Sequence, residues 1–233
     1  MGRRLTKKEW RARKRIKLLI IISVLLIVII TVLCILGAIF HTNFWKKEKS
    51  IYTVSKGTVL KGNYPGDLNL NVQLLTPNEF SRPQTELEKI KGVVVHYTAN
   101  PGTDALQNRN YFENLKNSGI TKVSSHFVIG LNGDIVQCIP TSEIAYASNE
   151  RNEDTISIEV CHPDETGKFN QESYNSLVRL VAYLVCEYNL EYEAILRHYD
   201  VTGKNCPKYF VEHEEKWDNF RRDVFIYIEN NKA

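Results

Sequence analysis

Leu18–Phe40 is an uncharged run of 23 residues, rich in Ile, Leu and Val, and no other feature constrains the chain more. At about 1.5 Å rise per residue a helix over it spans roughly 34 Å, against about 30 Å for a hydrocarbon core. Nine Lys and Arg residues precede the run and Lys46, Lys47 and Lys49 follow it closely. That asymmetry predicts a cytoplasmic N-terminus and an external remainder. Trp45 stands where an interfacial aromatic anchor belongs. A cleaved leader would have a shorter apolar core of about 7–15 residues and a small-residue cleavage site, for which Gly37–Ala38 is the nearest match. Lipid attachment at Cys34 fits poorly, because Leu33 precedes it. The expected layout is a basic cytoplasmic tail at 1–17, a transmembrane helix at 18–40, an extracytoplasmic linker at 41–71 and a folded domain at 72–230. The sequence thus leads one to expect a single-pass protein of the cell membrane with its domain outside.

The formal charge of +3 conceals a split. Residues 1–49 carry +10 and the other 184 carry −7. Since the folded part is acidic, nucleic acid is excluded as the main partner. The basic block suits anionic lipid headgroups, at about 1 kcal/mol per cation near the surface. With 43% hydrophobic residues the chain is not of disordered composition, and five scattered cysteines do not make a disulfide scaffold. Pro and Gly punctuate residues 46–89, where Asn71–Thr85 reads as an extended arm packed on the domain.

Beyond the arm, strands and helices alternate. Gly92–Thr98 has the period-two pattern of a buried strand, with His96 on the face of Val94 and Thr98. Thr103 or Asp104 can cap a helix reaching about Asn117. Ser125–Gly130 and Asp134–Ile139 flank Asn132–Gly133, a hairpin signal. Thr155–Cys161 sets Ile156, Ile158 and Val160 against Ser157, Glu159 and Cys161. Asn170–Asn189 has helical apolar spacing, Ala194–Asp200 reads as a strand feeding a loop, and Trp217, Phe220, Val224, Phe225 and Ile228 stripe a last helix. The fold class is α/β, a mixed central sheet flanked by helices.

His96, His198 and Cys206 are good metal ligands at a strand end or in nearby loops. His198 and Cys206 share the segment HYDVTGKNCP, so one unit can present both. Two imidazoles and a thiolate with a fourth position open make the ligand set of a catalytic zinc. Taken singly, each also has a bland explanation as a core or surface residue.

The segments GVVVHYTANPG, VSSHFVIGLNGDIVQCIP, ISIEVCHPD and LRHYDVTGKNCP, in that order, resemble the zinc-dependent N-acetylmuramoyl-L-alanine amidases of the type 2 family. These share their fold with peptidoglycan recognition proteins and phage T7 lysozyme. The likeness covers roughly Val72 to Asn230. It implies Zn2+ held by His96, His198 and Cys206, with Glu159 as catalytic glutamate and Lys204 as active-site lysine. In that role Glu159 would take a proton from water and hand it to the leaving amine, while Lys204 would steady the developing oxyanion. Some relatives carry a tyrosine where this chain has Ser125, which throws more of the proton transfer onto Glu159. His126 and His162 are candidates to support or line the site, or ordinary strand and loop histidines. His213 begins HEEKW, which is not a zinc pattern. Cys138 and Cys161 lie on expected strands and could face one another, and Cys186 reads as core.

The resemblance implies an enzyme that hydrolyses the amide bond between N-acetylmuramic acid and L-alanine of peptidoglycan in wall remodelling. The alternative is a membrane-tethered receptor that binds muropeptides without cutting them. Receptors of that kind typically lack the cysteine, and Cys206 is present here.

Overall fold

The structure, a computed structural model, describes residues 7–51, 68 and 70–232. It divides into two units, Met1–Ile51 and Tyr52–Ala233.

The first unit is one 45-residue helix, α1 (Lys7–Ile51). Its apolar side chains from Leu19 to Leu36 are exposed. The Ser23 hydroxyl donates to the Leu19 carbonyl at 2.9 Å and Thr31 to that of Val28 at 2.8 Å, so both are satisfied inside the helix, as a lipid environment requires. Arg15–Ala38 is long and apolar enough to cross a membrane by length and composition. The helix runs on past Phe40, where the sequence suggested that a linker begins. Residues 52–67 of that linker, residues 1–6 of the basic tail and the Trp45 side chain lie outside the described residues.

The second unit is a mixed sheet between helices. Its strands are β1 (Leu70–Val72), β2 (Gly92–Tyr97), β3 (Phe127–Ile129), β4 (Ile135–Gln137), β5 (Thr155–Val160) and β6 (Ile195–Arg197). They lie in the order β1-β4-β3-β5-β2-β6, with every pair parallel except β3–β4. Alternation divides the sheet into two unlike faces. Val93, Val95, Phe127, Ile129, Ile135, Ile156 and Ile158 point into the main core beneath α3 (Gln171–Tyr188) and α6 (Glu214–Asn231). Val128, Val136, Cys138 and Cys161 point into a smaller cluster, joined by Ala105, Phe112 and neighbouring residues, beside α2 (Ala105–Ser118). That helix packs over β3 and β4.

Local chemistry sets the ends of these elements. Asp104 accepts the Gln107 amide at 2.7 Å and Gln107 returns a bond to the Asp104 amide, a capping box opening α2. Asn170 caps α3 through the Ser173 amide. The β3–β4 hairpin closes with the Gly130 amide on the Asp134 carbonyl at 2.9 Å, around a loop whose Gly133 has φ +76°. A Cβ on Gly133 would stand 2.9 Å from Ser176 Oγ of α3, so both backbone sign and space call for glycine there.

Three local readings change. Leu70–Val72, which spans the expected end of the linker and start of the arm, pairs with β4 as an edge strand. The strand expected over Ala194–Asp200 stops at Arg197, and α4 (His198–Thr202) follows. Asp200 accepts from the Arg197 amide at 2.8 Å, which coils the chain into a turn, and Gly203 at φ +77° ends it. Cys138 and Cys161 are both free and buried. Register places Cys138 beside His126, and Cys161 donates its amide to Ile129. They are thus two strands and about four residues apart, roughly 16 Å, beyond the ~7 Å limit for a disulfide.

Candidate functional site

The site forms at the carboxyl ends of β2, β5 and β6, on the face that carries the smaller core. His96 is the fifth residue of β2 and aligns with Glu159 on β5, so both side chains rise from the same face on adjacent strands. His198 opens α4 directly after β6, and Cys206 follows the turn that ends at Gly203. The Tyr199 amide donates to the Cys206 carbonyl at 2.9 Å, folding that turn back on α4. Arg197 fixes the base of the turn from within: it is buried, pairs with Asp200 at 2.7 Å and Glu214 at 2.6 Å, and lies over the Trp217 ring.

One ligand atom from each of His96, His198 and Cys206 lies within 4.8 Å of the others, and all three residues are buried. The two imidazoles meet edge to face, with centroids 4.7 Å apart. Cys206 Sγ stands 3.9 Å from His96 Nδ1, and His198 Nδ1 is buried with no hydrogen-bond partner. The outer nitrogens are engaged elsewhere, His96 Nε2 with Ser148 Oγ and His198 Nε2 with Asn149 Oδ1, each at 3.1 Å. Burial holds His96 well below the usual imidazole range, reinforced by His198 and Lys204, and holds His198 down likewise with help from Lys204. Burial also pushes the Cys206 thiol up to about 12, with Glu159 adding to the effect. Neutral imidazoles whose inner lone pairs converge on a buried thiol are the donor set that a divalent zinc ion suits. The residues present therefore fit such an ion.

Glu159 is half-buried, and its Oε2 is shielded from solvent with no hydrogen-bond partner. Burial raises its carboxyl to about 8, partly opposed by the Lys204 charge. A carboxyl held in that range can both take and return a proton near neutrality. Lys204 is exposed at the rim, yet its charge reaches His96, His198, Glu159 and Cys206.

The other sequence candidates lie in the fold around the site. Ser125 Oγ donates to the Ser157 carbonyl at 2.9 Å. His126 Nδ1 accepts from the Ser157 amide at 3.0 Å while Nε2 reaches the Glu143 carbonyl at 2.9 Å, so one ring nitrogen is spent on β5 and the other on the segment after β4. His162 is buried beside Tyr97 with Nδ1 on the Asp164 carbonyl at 2.7 Å, whereas a loop position suggested exposure. His213 is exposed between α5 (Lys208–Glu212) and α6. Cys186 is half-buried against the main core. Sequence reading missed Ser148 and Asn149, since a Ser-Asn step before a strand looks like any other turn. Surface cavities of about 770 and 560 Å³ lie across the molecule along α3 and α6 and include none of these site residues.

Comparisons with known proteins agree on one family. Residues 86–209, more than half of the chain, match the family described as N-acetylmuramoyl-L-alanine amidase. The N-acetylmuramoyl-L-alanine amidase CwlL of Bacillus licheniformis is 33% identical over 165 residues, covering 66% of this chain and 46% of that protein. BlyA of Bacillus subtilis (strain 168), another N-acetylmuramoyl-L-alanine amidase, is 29% identical over 168 residues, covering 63% and 44%. The chain thus spans somewhat under half the length of these curated relatives. Among solved structures, PlyL is 27% identical with a TM-score of 0.58, and the match covers 66% of this chain and 96% of that one. The XlyA catalytic domain gives 25% identity, a TM-score of 0.55 and coverage of 66% and 99%.

Proposed function

Because the chain belongs to the type 2 N-acetylmuramoyl-L-alanine amidase family, we propose that it is a membrane-anchored, zinc-dependent member that hydrolyses the amide between N-acetylmuramic acid and L-alanine in peptidoglycan. One observation carries the reading: three ligand atoms converge within 4.8 Å beside a carboxylate whose Oε2 has no partner. His96, His198 and Cys206 would hold the metal. Zinc bound there supplies Lewis acidity, polarising the amide carbonyl and making water a better nucleophile at neutral pH.

The chain's own residues do the rest. Glu159 takes a proton from the attacking water as its oxygen bonds to the carbonyl carbon. It delivers a proton to the alanine nitrogen as the C–N bond breaks, leaving a lactyl carboxylate and a free amine. Lys204 brings positive charge to the rim, where the carbonyl oxygen gains negative charge. The 72–230 domain would do this work outside the cell, tethered by residues 18–40, with 1–17 in the cytoplasm and 41–71 as linker. The exposed apolar face of α1 and the cations that precede it support that arrangement.

The test uses the full chain purified in detergent. Elemental analysis should find one zinc per chain, and peptidoglycan digests should gain free L-alanine amino termini by mass spectrometry. Muropeptide binding without cleavage would instead identify a tethered receptor. For the anchor, the protein should sediment with membranes after alkaline washing, and release into the supernatant would refute it.

A further inference from the structure

Both imidazoles of the cluster end their outward hydrogen bonds on consecutive residues of one turn. Ser148 Oγ faces His96 Nε2 and Asn149 Oδ1 faces His198 Nε2, each at 3.1 Å. Ser148 is buried, so no solvent competes for its hydroxyl. The turn itself is held: Asn152 Oδ1 accepts the amides of both Ala147 and Ser148, at 2.9 and 2.6 Å. The Arg151 amide closes on the Ser148 carbonyl at 3.0 Å. Asn149 sits at φ +53°, a left-handed conformation that most side chains avoid and asparagine tolerates. The chain therefore accepts an uncommon backbone conformation at the residue whose side chain meets His198.

An amide oxygen only accepts, so the His198 ring must carry its proton on Nε2 to make this bond, which leaves the Nδ1 lone pair free. That Nδ1 is the buried atom without a partner. The Ser148 hydroxyl can donate or accept, so it holds the plane of the His96 ring without dictating its tautomer, and it keeps His96 Nδ1 facing Cys206 Sγ, 3.9 Å away. We propose that the Ser148–Asn149 step is the positioning device of the metal centre, holding both imidazole rings with their Nδ1 atoms aimed at one point and setting His198 in the Nε2–H tautomer. The inference rests on the zinc reading of the same site. It assigns to two adjacent residues, neither a ligand, the task of holding rings that come from β2 and α4. Groups that orient metal-bound histidines are commonly worth 10–100-fold in metal affinity.

The test measures zinc affinity of the full chain in detergent by competition with a chromophoric chelator. Ser148→Ala leaves the buried His96 Nε2 without its hydrogen-bond partner and should weaken zinc binding about 10–100-fold, while Ser148→Thr, which keeps the hydroxyl, should restore most of it. Asn149→Gly accepts the positive φ without strain and deletes the acceptor. Because water can reach that exposed position, the expected loss is smaller, about 3–10-fold. Thermal unfolding of the metal-free variants should show Ser148→Ala melting somewhat below the parent and Asn149→Gly close to it, with both still folded at the assay temperature, so that rescue of zinc affinity by Ser148→Thr separates a positioning role from a structural one. If the parent binds zinc and Ser148→Ala and Asn149→Gly both bind within about twofold of it, the positioning role is wrong and the metal reading survives. A parent that takes up no zinc overturns both.

Discussion

The two faces of the domain's sheet are built from the same strands and to opposite ends. Under α3 and α6, β2 and β5 send down Val93, Val95, Ile156, Ile158 and Val160, met by Phe210, Trp217 and Phe220 with ring centroids 5.3 to 5.5 Å apart. On the other face the same two strands present His96, Ser157 and Glu159, and the apolar cluster beside α2 is smaller, with two thiols and the single aromatic ring of Phe112. The difference teaches where stability and chemistry are kept. A carboxyl with a shielded, unpartnered oxygen and convergent neutral imidazoles are costly, and a thick apolar core on the far side of the sheet can carry that cost. Function then depends on the thin face while folding depends on the thick one.

Four substitutions or conditions probe that division, and the largest effect is expected at Glu159. Glu159→Gln should lower turnover about 10²–10⁴-fold with zinc content kept and the melting temperature little changed, since an amide of the same shape replaces a carboxyl that burial already favours in its neutral form. Steady-state assays beside a thermal melt give the answer, and near-normal turnover would end its assignment as the base. On the thick face, Trp217→Ala should cost about 3–5 kcal/mol of stability in denaturant unfolding, because the ring is fully buried and stacked on Phe220. Its effect on turnover by molecules that remain folded should be smaller than that of Glu159→Gln, and the reverse ranking would break the comparison.

Lys204→Ala should slow turnover about 10–100-fold and leave unfolding untouched, as befits an exposed rim cation. Acid sensitivity on the thin face is the most gradual effect, spread over the whole range between the two imidazole values. Burial lowers His126 to about 4, so the folded state stays neutral where the unfolded chain takes up a proton. That contribution is complete above the ordinary imidazole value near 6.5, fades as pH falls towards 4 and changes no further below it. The slope should approach about 1.4 kcal/mol per pH unit at most. Denaturant titrations between pH 7 and 4, with NMR of the His126 ring, check it, and an imidazole titrating near 6.5 would contradict the buried geometry.

How much of this was legible in the sequence differs by element. Caps and periodicity bounded α2 and α3 closely, because Asp104, Asn170 and Asn189 act through bonds to residues within a few positions. The alternation of Val93, Val95 and Tyr97 against Val94 and His96 fixed which way the β2 side chains point. The edge strand Leu70–Val72 was not legible: three residues carry no period, and their pairing with β4 is a long-range event. The helical start of His198 depends on Asp200 bonding back to Arg197, a local device hidden behind a strand-like composition.

For the site, residue types and spacing nominated His96, His198 and Cys206, since metal binding draws on few side chains, and the resemblance to the amidase family added Glu159 and Lys204. Which nitrogen of each ring turns inward was beyond the sequence. It depends on Ser148 and Asn149, held between strands that meet only in three dimensions. The separation of Cys138 from Cys161 was equally hidden, because each lies on a strand and only register tells how far apart those strands carry them. The sequence alone determined what depends on near neighbours and on composition: the long apolar run, the caps, the alternating faces and the inventory of reactive groups. Tertiary structure alone decided direction and distance, because a lone pair is aimed by packing and hydrogen bonds from segments that the linear chain keeps far apart.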